Sequence, residues 1–176
     1  ANNETGAVQP VAAAARLARA NGVALLTDAV QAAGRISIDV AELGSDFLVL
    51  SSHKIGGPKG AGALVIHDGR YVEPLIAGGG QEGRRRAGTE NVPGIAGFGA
   101  AALEAASEAA DTRSVAALRD RLEAEVRAIT PHAVVFAADA PRLPNTCHFG
   151  IAGAAAETLV IQLDLAGIAV SAGAAC

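Results

Sequence analysis

Lys54 follows Ser51-Ser52-His53 and the apolar run Phe47-Leu48-Val49-Leu50, and it precedes a glycine loop, Ile55-Gly56-Gly57-Pro58-Lys59-Gly60. A primary amine at the mouth of a buried strand, crowded by apolar walls, can shed its proton and act as a Schiff-base nucleophile. Ser51, Ser52 and His53 offer donors to a phosphate. Taken alone, a lysine before glycines is better read as a phosphate-loop lysine or an exposed charge. The loop is not a Walker loop, because the G-x-x-x-x-G-K-[ST] spacing is missing.

Asp28 changes that balance. It ends the mostly apolar run Val23–Thr27, and a carboxylate there is costly to bury without a cationic partner. A protonated pyridine nitrogen would be such a partner, and the pairing would keep a pyridoxal ring electron-poor enough to accept carbanion charge. Gln31, three residues on, could donate to the ring oxygen. The competing role for Asp28 is a helix N-cap after a strand. Together, an aspartate at one strand end and a lysine at another form the recurring pyridoxal-phosphate constellation.

The elements that would hold these groups are legible. Pro10 suits a first helical turn, "VAAAARLARANG" continues it, and Asn21-Gly22 stops it. Buried strands are expected at "VALLTDAVQ", ending at Asp28, then at "DFLVLSSHK" and "GAGALVIH", with a short helix at residues 40–43 closed by Gly44. Helix, strand, short helix, strand predicts an α/β domain with a largely parallel sheet, the third strand running either way. Functional loops then gather at the carboxyl ends of strands, where Asp28 and Lys54 fall.

The stretch "VEPLIAGGGQEGRRRAGTENVPG" reads as a long functional loop. Its Arg84, Arg85 and Arg86 suit a carboxylate or phosphate about as well as they suit solvent. Helix is expected from about Ile95 to Ile129, broken at Asp111-Thr112, with Arg119/Glu123 and Arg121/Glu125 as i,i+4 pairs on a solvated face. Strands at "AVVFAA", "TCHF" and "IAVS" and a helix at about 155–166 complete a small second lobe. Cys147, between Thr146 and His148 in an apolar strand context, reads as a buried structural thiol. Cys147, His148, His132 and Cys176 lack zinc spacing, and no metal site is assigned.

The chain has 176 residues, enough for an ordinary domain and a sizeable core. A net charge of −4 gives no electrostatic case for nucleic acid or an anionic membrane. No apolar run approaches a membrane span, and two cysteines without a disulfide pattern favour a reducing, cytoplasmic setting. Opening on "ANNETG" without a methionine and ending on Cys176, the sequence reads as a piece of a longer protein.

The blocks "NNETG", "TDAVQAAGRISIDV", "SSHKIGGPKGAGAL", "GGGQEGRRRAGTENV", "LPNT" and "VSAGAAC", in this order, resemble the cysteine desulfurases. These are the NifS/IscS-like group of class V pyridoxal-phosphate enzymes, and the resemblance covers essentially the whole chain. It implies a type I, aspartate aminotransferase-like pyridoxal-phosphate transferase fold. Residues 1–100 would form part of the large cofactor-binding domain with its mainly parallel sheet. Residues 101–176 would form part of the small α+β domain.

The resemblance also implies roles. Lys54 would carry the cofactor. Asp28 would pair with the pyridine nitrogen, with Gln31 and Asn3 at the ring substituents. Ser51 and His53 would bind the phosphate, as would Thr89 from the arginine-rich loop across a homodimer interface. Asn145 would lie near the substrate, L-cysteine. Cys176, in a small-residue setting, would accept sulfur as a persulfide for an acceptor protein such as an iron–sulfur scaffold, and a transient iron–sulfur contact there is within the family's range. The rival readings are a selenocysteine lyase or aminotransferase of class V, and a non-catalytic scaffold. A scaffold requires none of Asp28, Lys54 and Cys176.

Overall fold

A computed structural model describes residues 1–67, 69–109 and 111–174, in two compact units. The first unit is Pro10–Ala110. Its opening helix α1 (Val11–Ala20) starts just after Pro10, and the chain leaves it through Asn21 and Gly22, whose φ is +66°. Strand β1 (Leu26–Asp28) pairs in parallel with β2 (Phe47–Ser51), Asp28 lying level with Val49. Between them, α2 (Val40–Leu43) begins where the Asp39 carboxylate accepts from the Ala41 and Glu42 amides, and it stops at Gly44 in the left-handed region.

β3 (Gly62–Ile66) pairs with β2 in the antiparallel sense, so the sheet is mixed, in the order β1-β2-β3. The orientation follows from the connection: residues 52–61 are too few for the crossover that a parallel return needs. At the amino edge of the parallel pair, Asp46 accepts from the Leu25 amide at 2.7 Å and pairs with Arg70 at 2.5 Å. The Leu25 amide, and then Arg70, hold the Asp46 carboxyl below the usual range. Thr27 and Ser45 join their buried hydroxyls at 2.6 Å.

The core is thinner than the sequence suggests. Among the described residues of this unit, Leu48 is the one large apolar side chain that is fully buried, and the other buried apolar residues are Ala15, Ala29, Ala32, Ala87 and Ala105. Leu26 and Leu64 of the expected buried strands are 57% and 42% exposed, because the described residues leave one side of the sheet uncovered. The long loop carries a single tight turn, α3 (Gln81–Arg84), in which Glu82, Gly83 and Arg84 have φ of 48°, 61° and 66°. Helix α4 (Val92–Glu108) closes the unit, with the Asn91 side chain capping it through the Gly94 amide.

The second unit is Ala1–Gln9 with Asp111–Cys176. Its long helix α5 (Arg113–Ile129) begins just after the expected break at 111–112. A two-residue antiparallel ladder joins β4 (Val134–Val135) and β5 (Phe149–Gly150), and α6 (Ala156–Leu165) follows. The strand expected at "TCHF" is confined to its last residue. The strand expected at "IAVS" is absent, and residues 168–171 are irregular. Residues 146–148 and 168–171 belong to no ladder among the described residues, and an extended segment outside a ladder gains few of the hydrogen bonds that define a strand.

The solvated face expected on α5 is half right. Arg121 does pair with Glu125 at 2.8 Å, both exposed. Glu123 instead turns inward and is held by Arg142, from 19 residues away, through two hydrogen bonds of 2.6 and 2.9 Å. Both side chains are 6% exposed. Arg119 turns to the Leu143 carbonyl and to Asp120. A long-range, charge-assisted fork outcompetes a helical i,i+4 pair because it also satisfies both oxygens of a buried carboxylate.

Candidate active site

The parallel pairing of β1 and β2 puts Asp28 and the residues after Ser51 at the same, carboxyl edge of the sheet. Beyond Ser51 the chain folds into a single 3-10 turn, Ser52–Lys54. Ser52 ties the turn down: its amide donates to the Ala61 carbonyl, and its own carbonyl accepts from the Ile55 and Gly57 amides at 3.1 and 3.0 Å. Lys54 is half-buried in this turn and His53 is exposed. The Ser51 hydroxyl and His53 Nδ1 lie 2.9 Å apart, so two phosphate-type donors already stand together one residue before the amine.

Asp28 is exposed rather than buried, which removes the burial cost that sequence reasoning assigned to it. Its Oδ1 accepts from the Val30 amide at 2.9 Å and starts the turns that run through residues 30–35. Residues 30–35 are turns rather than a helix, so Asp28 holds a turn instead of acting as the helix N-cap, and this occupies one of its two carboxylate oxygens. Gln31 lies on those turns, its carbonyl accepting from Arg35 at 3.0 Å. Thr89 is exposed in the same unit, next to Gly88 with φ +99°, and Arg84, Arg85 and Arg86 are exposed as well.

The remaining residues belong to the other unit. Asn3 is exposed in a turn organised by Asn2, whose Oδ1 accepts from the Glu4 and Thr5 amides at 3.0 and 2.8 Å. Asn145 is exposed and lines an open groove of about 570 Å³ with Arg119, Cys147, His148 and the apolar residues of α5 and α6. Neither Asp28 nor Lys54 lines that groove, whose walls are mainly apolar. Cys176 lies outside the described residues.

Cys147 sits in an irregular stretch rather than a strand, as a free, partly buried thiol. Burial, then the negative charge of Glu123, push its pKa up to about 11, so at neutral pH it is a protonated, unreactive thiol. Sequence reasoning missed the Glu123–Arg142 pair beside it. The signal was present in the chain only as an arginine between prolines, with nothing to say which carboxylate it would meet.

The donor set at the carboxyl edge fits pyridoxal phosphate. An amine is there for its aldehyde, hydroxyl and imidazole groups for its phosphate, and a carboxylate with a spare oxygen for its ring nitrogen. Comparison with known proteins agrees with the fold. The sequence is 49% identical over all 176 residues to a cysteine desulfurase of Cereibacter sphaeroides, covering 45% of that protein. It is 44% identical to the cysteine desulfurase NifS of Azotobacter vinelandii, again over the whole chain and 44% of the relative. The chain thus spans a little under half the length of these curated relatives. The crystal structure of a NifS-like protein from Rickettsia africae superposes with a TM-score of 0.90 at 38% identity, covering 99% of this chain and 48% of that one. Over residues 1–176 the sequence matches the family described as Aminotransferase class-V, and the chain belongs to that family.

Proposed function

We propose that the protein contributes the lysine, the ring-nitrogen carboxylate and the sulfur-accepting cysteine of a cysteine desulfurase, which converts L-cysteine to L-alanine. Lys54 carries pyridoxal phosphate, Ser51 and His53 hold its phosphate, and Asp28 holds its ring nitrogen protonated. Asn3, Gln31 and, from the partner of a homodimer, Thr89 complete the cradle, with Asn145 toward the substrate. Bound there, the cofactor supplies an electron sink for charge developed at the substrate's α-carbon. Lys54 Nζ, once released, takes the α-proton and later returns one to the product. The Cys176 thiolate attacks the substrate sulfur, so that a carbon–sulfur bond breaks, a sulfur–sulfur bond forms, and Cys176 is left as a persulfide for an acceptor protein in the cytoplasm.

The observation that carries this reading is the parallel register of β1 and β2, which brings Asp28 and the lysine turn to one sheet edge. The similarity to cysteine desulfurases along the whole chain supports the choice of reaction. The test is alanine release from L-cysteine in the presence of pyridoxal phosphate. It should vanish in both Lys54→Ala and Cys176→Ser. Turnover that survives Cys176→Ser and yields a keto acid would instead make the protein an aminotransferase.

A further inference from the structure

The turn that carries Lys54 is seated on a glycine that its backbone angles do not require. Gly56 and Gly60 have φ of +84° and +82° and open space around them, so their conformation alone selects glycine. Gly57 lies outside the left-handed region, so a positive φ is not what selects glycine there. What excludes a side chain there is volume. A Cβ on Gly57 would overlap the Ser52 hydroxyl, press on Ala101 Cβ of α4 at 3.1 Å, and meet the Ser52 carbonyl oxygen at 3.2 Å. Ser52 itself is fully buried, and its hydroxyl has no hydrogen-bond partner among the described residues.

These contacts bear on Lys54 through one atom. The Ser52 carbonyl accepts from both the Ile55 and Gly57 amides, and Lys54 lies between Ser52 and Ile55. A side chain at position 57 could be relieved only by moving Ser52 or α4. Moving Ser52 breaks the two bonds that fix the turn. A buried hydroxyl without a partner contributes no hydrogen bond to the turn, so deleting Ser52 Oγ breaks none of the turn's bonds. Its removal would take away the one overlap, leaving the 3.1 Å contact to Ala101 Cβ and the 3.2 Å contact to the Ser52 carbonyl oxygen, each of which needs a shift of only a few tenths of an ångström.

We propose that Gly57 is a positioning residue for the reactive amine: its bare α-carbon, packed on Ser52, sets where Lys54 stands. This rests on the reading of Lys54 as the cofactor-bearing lysine. Three variants test it: Gly57→Ala, Ser52→Ala, and the double variant S52A/G57A, in which a methyl replaces the hydroxyl in the same space. The first readout needs no cofactor: hydrogen exchange at the Ile55 and Gly57 amides of the folded protein. The second is the visible absorbance formed with added pyridoxal phosphate, and its pH titration.

Gly57→Ala should speed exchange at both amides about tenfold or more, weaken pyridoxal phosphate uptake by a similar factor, and displace the pH titration. Ser52→Ala should leave exchange at both amides at the wild-type rate, since both bonds go to its backbone carbonyl, and the double variant should recover most of the loss in exchange. Unchanged exchange in Gly57→Ala would overturn the proposal, as would a double variant no better than the single one. Exchange that follows the expected pattern in a wild type that takes up no pyridoxal phosphate would refute the cofactor reading and still support the seat.

Discussion

Arg142→Met removes one charge from the buried Glu123–Arg142 pair while keeping most of the aliphatic stem. The fork has bonds of 2.6 and 2.9 Å and both side chains are 6% exposed, so the stranded Glu123 carboxylate cannot recover its hydration without opening the unit. Breaking a buried pair from one side costs about 3–5 kcal/mol. At about 2 kcal/mol per molar urea, the unfolding midpoint followed by circular dichroism should fall by roughly 1.5–2.5 M. The double variant E123L/R142M, which strands nothing, should lie within about 1 kcal/mol of the wild type or above it. Arg121→Ala, which breaks the exposed Arg121–Glu125 pair, should leave the midpoint unmoved. The pH dependence has a definite sign. The Arg142 hydrogen bonds lower the Glu123 pKa from its ordinary 4.5, so the unfolded chain protonates first as pH falls. The pair's contribution is complete above about pH 4.5 and is lost as pH drops through the lowered folded value. An Arg142→Met midpoint within about 0.3 M of the wild type, which is well under 1 kcal/mol, would refute the view that the fork is buried and that its loss strands a charge.

Alkylation of Cys147 by iodoacetamide should stay slow at neutral pH and reach half its limiting rate only near pH 11, and Glu123→Gln should move that midpoint down. Equal midpoints in the two proteins, from site-resolved mass spectrometry, would remove Glu123 as a cause. Gly6→Ala combines a φ of +74° with a Cβ only 2.8 Å from Thr146 Cβ, and should lower stability by about 1–3 kcal/mol in urea unfolding. Thr146→Ser, which deletes the γ-methyl at 3.2 Å, should recover only a small part, since the positive φ remains.

Elements fixed by local chemistry were legible in the sequence. Pro10 and Asn21-Gly22 bound α1, Gly44 ends α2, and the interruption at 111–112 separates α4 from α5, because each signal acts through backbone geometry within a few residues. The lysine turn and Asp28 were placed at strand ends for the same reason. What the sequence concealed depends on distant partners. "IAVS" has strand composition but no neighbour to pair with among the described residues, and Glu123 has helical neighbours of the right charge yet bonds to Arg142. Asp28 was expected to be buried because it follows apolar residues, but alternation along β1 buries Thr27 and exposes both of its neighbours. Gly57 could not be told from the glycines around it, since only packing on Ser52 distinguishes it.

Only two lysines exist in this chain, Lys54 and Lys59, five residues apart in one loop. Incubation with pyridoxal phosphate, borohydride reduction and peptide mapping therefore asks directly which amine meets the cofactor at the edge shared with Asp28. A phosphopyridoxyl group on Lys54 alone, and its weakening in Asp28→Ala, is the predicted outcome. Label divided evenly between the two lysines, or indifferent to Asp28, would contradict it.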